Sequence, residues 1–166
     1  AALDAGFGMH RGAHRDYGIE IDPRTADPNA LRALVELGIN RISLGAQSFD
    51  PRHLRTLERT HNPDNIPRAL EAARAAGIPR SSIDLIFAVP GQTADAWRRD
   101  LASALEVADR AGGIDHISCY ALTYEPNTAM TARLRKGEFA AVDEDTEADM
   151  YLATVDMLRD AGLERY

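Results

Sequence analysis

The sequence predicts an α/β fold in which parallel βα units form part of an open, TIM-type barrel. Three observations carry that expectation. Short β-type runs alternate with longer amphipathic segments, which is the pattern of βαβ units joined by helical crossovers. Each β run also alternates apolar and polar residues instead of reading continuously apolar. One face of the sheet therefore packs on helices while the other meets something polar, as a barrel lumen does. Finally, the runs are too few to close a barrel, so the sheet stays open and the chain reads as an internal portion of a longer one. A doubly wound sheet is the structural alternative.

The elements follow in order. Tyr17 to Asp22 forms a strand, with Ile19 and Ile21 opposite Gly18, Glu20 and Asp22. A helix over Pro28 to Leu37 is stopped by Gly38. Asn40 to Ala46 gives the second strand and sets Ile42, Leu44 and Ala46 against Arg41, Ser43, Gly45 and Gln47. Asp50 caps a short helix to Glu58, with Pro51 at its first position. From Asn65 to Ala76 the residues Ile66, Ala69, Leu70 and Ala73 make one apolar stripe, ended by Gly77. Ser82 to Phe87 is the third strand, with Ile83, Leu85 and Phe87 opposite Ser82 and Asp84, and it runs into the turn at Pro90-Gly91. Thr93 caps a helix to about Asp109, striped by Trp97, Leu101, Leu105 and Ala108. Ile114 to Tyr120 is the fourth strand, placing Ile117 and Cys119 against His116, Ser118 and Tyr120. A looser segment follows, and then a last helix from about Glu144 to Ala161, striped by Tyr151, Val155 and Leu158. No linker interrupts the series, so residues 1–166 read as a single domain.

Composition narrows the function. With 45% hydrophobic residues the chain is no disordered segment, and no stretch approaches the roughly 18 apolar residues of a membrane span. A net charge of −7 argues against nucleic-acid binding through phosphate neutralisation. The single cysteine, Cys119, excludes an internal disulfide framework and any site built from several thiolates, and a cytoplasmic location is expected. No glycine-rich nucleotide loop and no serine nucleophile elbow is present. His10 and His14 flank Gly12 without an acidic partner and read as solvated. His61 and His116 read as hydrogen-bonded structural residues, and Cys119 as core filling.

What stands out are the polar residues of the strands and strand exits. In parallel α/β folds, ligands gather at the carboxyl ends of the strands. Glu20 and Asp84 point to the polar side within strands, where a carboxylate is costly unless paired or hydrogen-bonded. Each is equally readable as a ligand-binding group or as the partner of a nearby arginine, Arg41 or Arg59.

Taken in order, several segments resemble the oxygen-independent coproporphyrinogen III oxidase-like family of radical S-adenosylmethionine proteins. They are Glu20-Ile21-Asp22-Pro23-Arg24, Gly38 through Phe49, Glu58-Arg59-Thr60-His61, Ile83 through Thr93, His116 through Pro126, and Gly162 through Tyr166. Pro90-Gly91-Gln92 and Tyr120 through Pro126 lean towards the haem-chaperone branch, and Ile19 through Arg24 towards the coproporphyrinogen dehydrogenase. The resemblance implies a partial barrel and tetrapyrrole chemistry or haem handling. It also implies a [4Fe–4S] cluster that reduces S-adenosylmethionine for hydrogen-atom abstraction. It assigns Glu20, Gln47, Arg59 and Asp84, with the backbone around Ala121, to S-adenosylmethionine contacts.

The family's three cluster cysteines have no counterpart in these 166 residues. They are expected, with the glycine-rich segment for the methionine amino group, ahead of residue 1, and the haem-ligand segment beyond the last. On that expectation the chain alone binds S-adenosylmethionine weakly or not at all and catalyses nothing, and its uncovered sheet edges favour self-association. Two other functions are compatible with the residues. One is an unrelated barrel enzyme using Glu20 and Asp84 as acid and base. The other is a non-catalytic haem-binding protein with His61, His116 or Cys119 as ligand.

Overall fold

In the computed structural model, residues 16–166 are described; His10 and His14 lie outside them. Four strands, β1 (Gly18–Ile21), β2 (Arg41–Gln47), β3 (Arg80–Phe87) and β4 (His116–Ala121), form one sheet in the order β1-β2-β3-β4, every pair parallel. Six α-helices connect or follow them: α1 (Pro28–Glu36), α2 (Pro51–Thr56), α3 (Asn65–Ala75), α4 (Ala94–Arg110), α5 (Ala129–Arg135) and α6 (Glu144–Asp160). This is the expected succession of βα units.

The helix starts are chemically specified. Asp27, Asp50, Thr93, Thr128 and Asp143 each accept a backbone N–H of the first turn, and proline opens α1 and α2. α2 stops at Thr56 instead of Glu58, because Glu58 turns to φ 56° and the Arg59 N–H returns to the Leu54 carbonyl. α5 was not expected from the sequence. Its signals were the Thr128 cap, the arginines of its last turn and Gly137, at φ 72°, just past its end.

The strand register aligns Ile19 with Ile42, Leu44 with Ile83, and Ile83 with Ile117. Both hydrophobic clusters draw their strand residues from this one face. The larger joins Leu44, Ile83, Leu85 and Phe87 to Ile66 and Leu70 of α3 and to Trp97 and Leu101 of α4. The smaller packs Leu31 of α1, Ala73 of α3 and Ile78 on Ile42. One-sided packing of this kind removes the doubly wound alternative, whose sheet is covered on both faces.

α6 packs on α4 through a rotated face. The expected stripe of Tyr151, Val155 and Leu158 is not the one that is most buried: Tyr151 is exposed, and Met150, Ala153 and Thr154 lie innermost. The cause is Trp97, whose indole N–H donates to the Met150 carbonyl (3.1 Å) and the Thr154 Oγ1 (2.8 Å), and whose ring lies 5.4 Å from that of Phe87.

Candidate functional site

The polar face of the sheet carries the site. Parallel pairing places Glu20, Ser43, Ser82 and His116 in one row and Gly45, Asp84 and Ser118 in the next. Strand alternation puts these residues on one face, and the parallel register lines them up across the strands.

Asp84 is buried, and no cation pairs with it among the described residues. Its carboxylate accepts the Ser43 hydroxyl at 2.6 Å, and the Ser82 Oγ lies 3.4 Å from its other oxygen. Ser82 Oγ is also 3.0 Å from His116 Nδ1, so a polar chain runs across β2, β3 and β4. The arginines read as possible partners go elsewhere. Arg41 pairs with Asp16, which also binds Arg80, and Arg59 is exposed with no ion pair to either acid among the described residues. Serine hydroxyls therefore satisfy Asp84, and Glu20 remains exposed to solvent.

Gln47 ends β2 in an unusual conformation. The ladder to β3 shifts register between Gly45 and Gln47, and Gln47 has φ 62°. The Ser48 N–H closes on the Ala46 carbonyl at 2.7 Å, a tight three-residue turn around Gln47. A left-handed conformation costs a non-glycine residue about 1–2 kcal/mol, and it is found where surrounding structure enforces it. The turn lays the Gln47 carboxamide over Gly45. A Cβ at Gly45 would sit 2.9 Å from Gln47 Nε2 and 3.5 Å from Glu20 Oε1. Glycine thus leaves a floor on which an amide and a carboxylate converge beside Asp84.

Two buried side chains brace this turn. His61 Nε2 lies 3.0 Å from the same Ala46 carbonyl and must donate to it, so the proton sits on Nε2. Desolvation pushes the His61 pKa below its ordinary value, which keeps the ring neutral at pH 7. On the other flank, Asp100 of α4 accepts the Ser48 hydroxyl and the Phe49 N–H, both at 2.8 Å. Burial raises the Asp100 carboxyl pKa, opposed by those two hydrogen bonds.

The remaining expected positions are at the carboxyl rim. Arg59 immediately precedes Thr60 and His61, and its charge helps to lower the His61 pKa. Ala121 ends β4 opposite Phe87; its side chain packs against the core, and the Leu122 N–H donates to the Phe87 carbonyl at 2.9 Å. Glu20, Gln47 and Asp84 are therefore brought together. Arg59 and Ala121 lie on the exits around them.

Of the possible haem ligands, only His116 lies on the polar face. His61 is buried on the Ala46 carbonyl. Cys119 packs against the core, and burial pushes its thiol up to about 12. A thiol so protonated, and alone, does not suit an iron–sulfur cluster, whose ligands are several thiolates. Among the described residues no group of three or more metal-binding side chains exists, and no helix is long and apolar enough to cross a membrane.

Sequence reasoning missed Asp100, and it placed Ser43 and Ser82 on the polar face without pairing them to Asp84. Asp100 could have been found, since an acid at the helical spacing of Trp97, Leu101 and Ala104 falls on the buried stripe of α4.

Comparison with known proteins places the chain in a family. The chain is 38% identical to the heme chaperone HemW of Mycobacterium tuberculosis over 147 residues, 89% of this chain and 36% of that protein. It is 36% identical over 154 residues to the mouse mitochondrial radical S-adenosyl methionine domain-containing protein 1, covering 93% of this chain and 34% of that one. Among solved structures, coproporphyrinogen III oxidase HemN of Escherichia coli superposes with a TM-score of 0.76 at 27% identity, over 91% of this chain and 33% of that one. The chain spans about a third of the length of these relatives. The radical SAM superfamily model matches residues 8–104. The chain belongs to the radical SAM superfamily and is related to the HemW heme chaperones and to coproporphyrinogen III oxidase.

Proposed function

We propose that the polar face of the sheet is the S-adenosylmethionine-binding wall of a tetrapyrrole-handling protein of the haem-chaperone type. The observation that carries this reading is the convergence of Glu20, Gln47 and Asp84 around Gly45. These groups suit S-adenosylmethionine chemically. Exposed Glu20 can accept from ribose hydroxyls or from an ammonium group, and the Gln47 carboxamide can both donate and accept. Asp84, with two serine donors already on it, holds its negative charge at a fixed place and keeps lone pairs for a further donor. Arg59, exposed at the rim, supplies a guanidinium for the ligand's carboxylate, and the backbone at Ala121 offers polar groups to an adenine edge.

When S-adenosylmethionine is bound in such proteins, its sulfonium can be cleaved by an electron from a cluster, for which the residues described here supply no ligands. Their part is binding and orientation. The tetrapyrrole part of the reading is supported by the relatives, whose names specify a heme chaperone and a coproporphyrinogen oxidase, with the chaperones at the higher identity.

Amide NMR of the 15N-labelled chain, titrated with S-adenosylmethionine to millimolar concentration, tests the wall. The expected result is selective movement of the Gly45 and Ser43 amides and the Gln47 side-chain amide, abolished by Glu20→Gln with Asp84→Asn. Perturbation confined to residues off the polar face would overturn the assignment. Titration with haem, read in the Soret band, tests the tetrapyrrole part; the expected shift survives Cys119→Ala and His61→Gln.

A further inference from the structure

We infer that Asp100 is a positioning residue of this site, holding Gln47 over Gly45 from a place on α4 that no ligand on the polar face touches. One carboxylate gathers donors from two strand exits. From the exit of β2 come the Ser48 hydroxyl and the Phe49 N–H, each at 2.8 Å, and from the exit of β3 the Gln92 Nε2 at 3.4 Å. The Ser48 Oγ accepts in turn from the Asp50 N–H at 2.9 Å, and Gln92 Oε1 accepts the Val89 N–H at 3.3 Å.

Both exits contain a non-glycine residue in the left-handed region, Gln47 at φ 62° and Ala88 at φ 59°. Neither conformation is stable on its own. In each case the residue that follows is the one tied into the Asp100 network: Ser48 directly, and Val89 through Gln92. The link to Gln47 is short. Ser48 closes the tight turn through its own N–H on the Ala46 carbonyl, while its hydroxyl is held by Asp100. Freeing that hydroxyl frees the residue that fixes the Gln47 backbone. His53 Nδ1, 3.9 Å from Asp100 and without a hydrogen-bond partner among the described residues, closes the cage around the carboxylate.

Asp100 is 2% exposed. A buried carboxylate is a poor choice for stability alone, since an apolar side chain on the same stripe of α4 would avoid its desolvation. What it supplies is directional: a fixed acceptor for donors from two loops that must adopt unfavourable backbone angles. That Gln47 serves a ligand rests on the S-adenosylmethionine reading; that Asp100 sets the position of Gln47 does not.

The test separates the two. In the full chain, NOE contacts between the Gln47 side-chain amide and the Gly45 α-protons report the position directly, and contacts between β1 and β2 with the Trp97 indole signal report the fold. Asp100→Asn turns an amide donor towards donors and is expected to abolish the Gln47–Gly45 contacts while the fold signals persist. Ser48→Ala is expected to do the same, and Ser48→Thr, which keeps the hydroxyl, to retain them; this pair decides the matter where Asp100→Asn does not fold. Contacts that persist in folded Asp100→Asn or Ser48→Ala overturn the proposal.

A second arm follows S-adenosylmethionine affinity, expected to weaken about tenfold in Asp100→Asn. Adding Asp100→Asn to Gln47→Ala is expected to cost nothing more; additive losses overturn the route through Gln47. Unchanged affinity in Gln47→Ala alone would refute the ligand reading, with the NOE arm still deciding the role of Asp100.

Discussion

The two faces of the sheet are held by different physics. On the covered face Leu44, Ile83, Leu85 and Phe87 are buried beneath α3 and α4, and stability there follows apolar area removed from water. On the open face Ser43, Asp84, Ser82 and His116 hold one another through hydrogen bonds, and the Gln47 turn sits in a conformation that its own residue disfavours. The difference teaches where specificity is stored. Packing sets the sheet, but the positions of the chemically useful groups are set by a few directional bonds at the strand exits, two of them reaching back into the covered side through Asp100.

Substitutions can break or sharpen this contrast. The largest effect belongs to the covered face: Trp97→Ala removes a fully buried ring and leaves the Thr154 hydroxyl oxygen without its donor, the Met150 carbonyl keeping the Thr154 hydroxyl. It is expected to destabilise the chain by about 3–5 kcal/mol in urea unfolding. Asp84→Ala on the open face is expected to cost about 1–2 kcal/mol, from the unpartnered Ser43 hydroxyl, Ser82 keeping its contact with His116, yet to abolish the ligand response at Gly45. A loss as large as that of Trp97→Ala would erase the distinction. Gly45→Ala is expected to cost less than about 1 kcal/mol, because the obstructing atom is the mobile end of the Gln47 side chain. The Gln47 side-chain amide resonance nevertheless shifts to its solvent-exposed position.

The smallest effect is a pH dependence. His61 is held below its ordinary pKa of 6.5, chiefly by desolvation, so the unfolded chain binds its proton more readily than the folded one. The contribution is full above 6.5 and is lost as pH falls from there through the lower folded value. Thermal unfolding between pH 7 and 5 is expected to show a decline that His61→Gln flattens. Asp22 and Asp50, whose carboxyls are held low first by the adjacent Arg24 and Arg52, add their loss only below 3.8.

Much of this was legible in the sequence because period-2 alternation is a local signal. Ile19 against Glu20, and Ile83 against Asp84, place both acids on the polar face by alternation alone. What lay hidden depends on contacts between distant residues. The partner of Asp84 is a serine on β2 and not an arginine, because parallel register brings Ser43 beside it. The left-handed turn at Gln47 has no glycine or asparagine to announce it; its causes are His61 and Asp100, residues 14 and 53 positions further along the chain. The inner face of α6 is chosen by the Trp97 indole seeking acceptors, which favours small Ala153 and Thr154 over the larger side chains of the expected stripe.

That last contact bears on how the molecule assembles. Each strand pairs with the one just before it in the chain, so the sheet can grow unit by unit as synthesis proceeds. Trp97 is different, for its acceptors lie 53 and 57 residues downstream. Until α6 arrives, its indole N–H has only water. The chain's single tryptophan is thus a built-in optical clock for the final docking step, and its emission is expected to change in a kinetic phase later than the one that forms the strands.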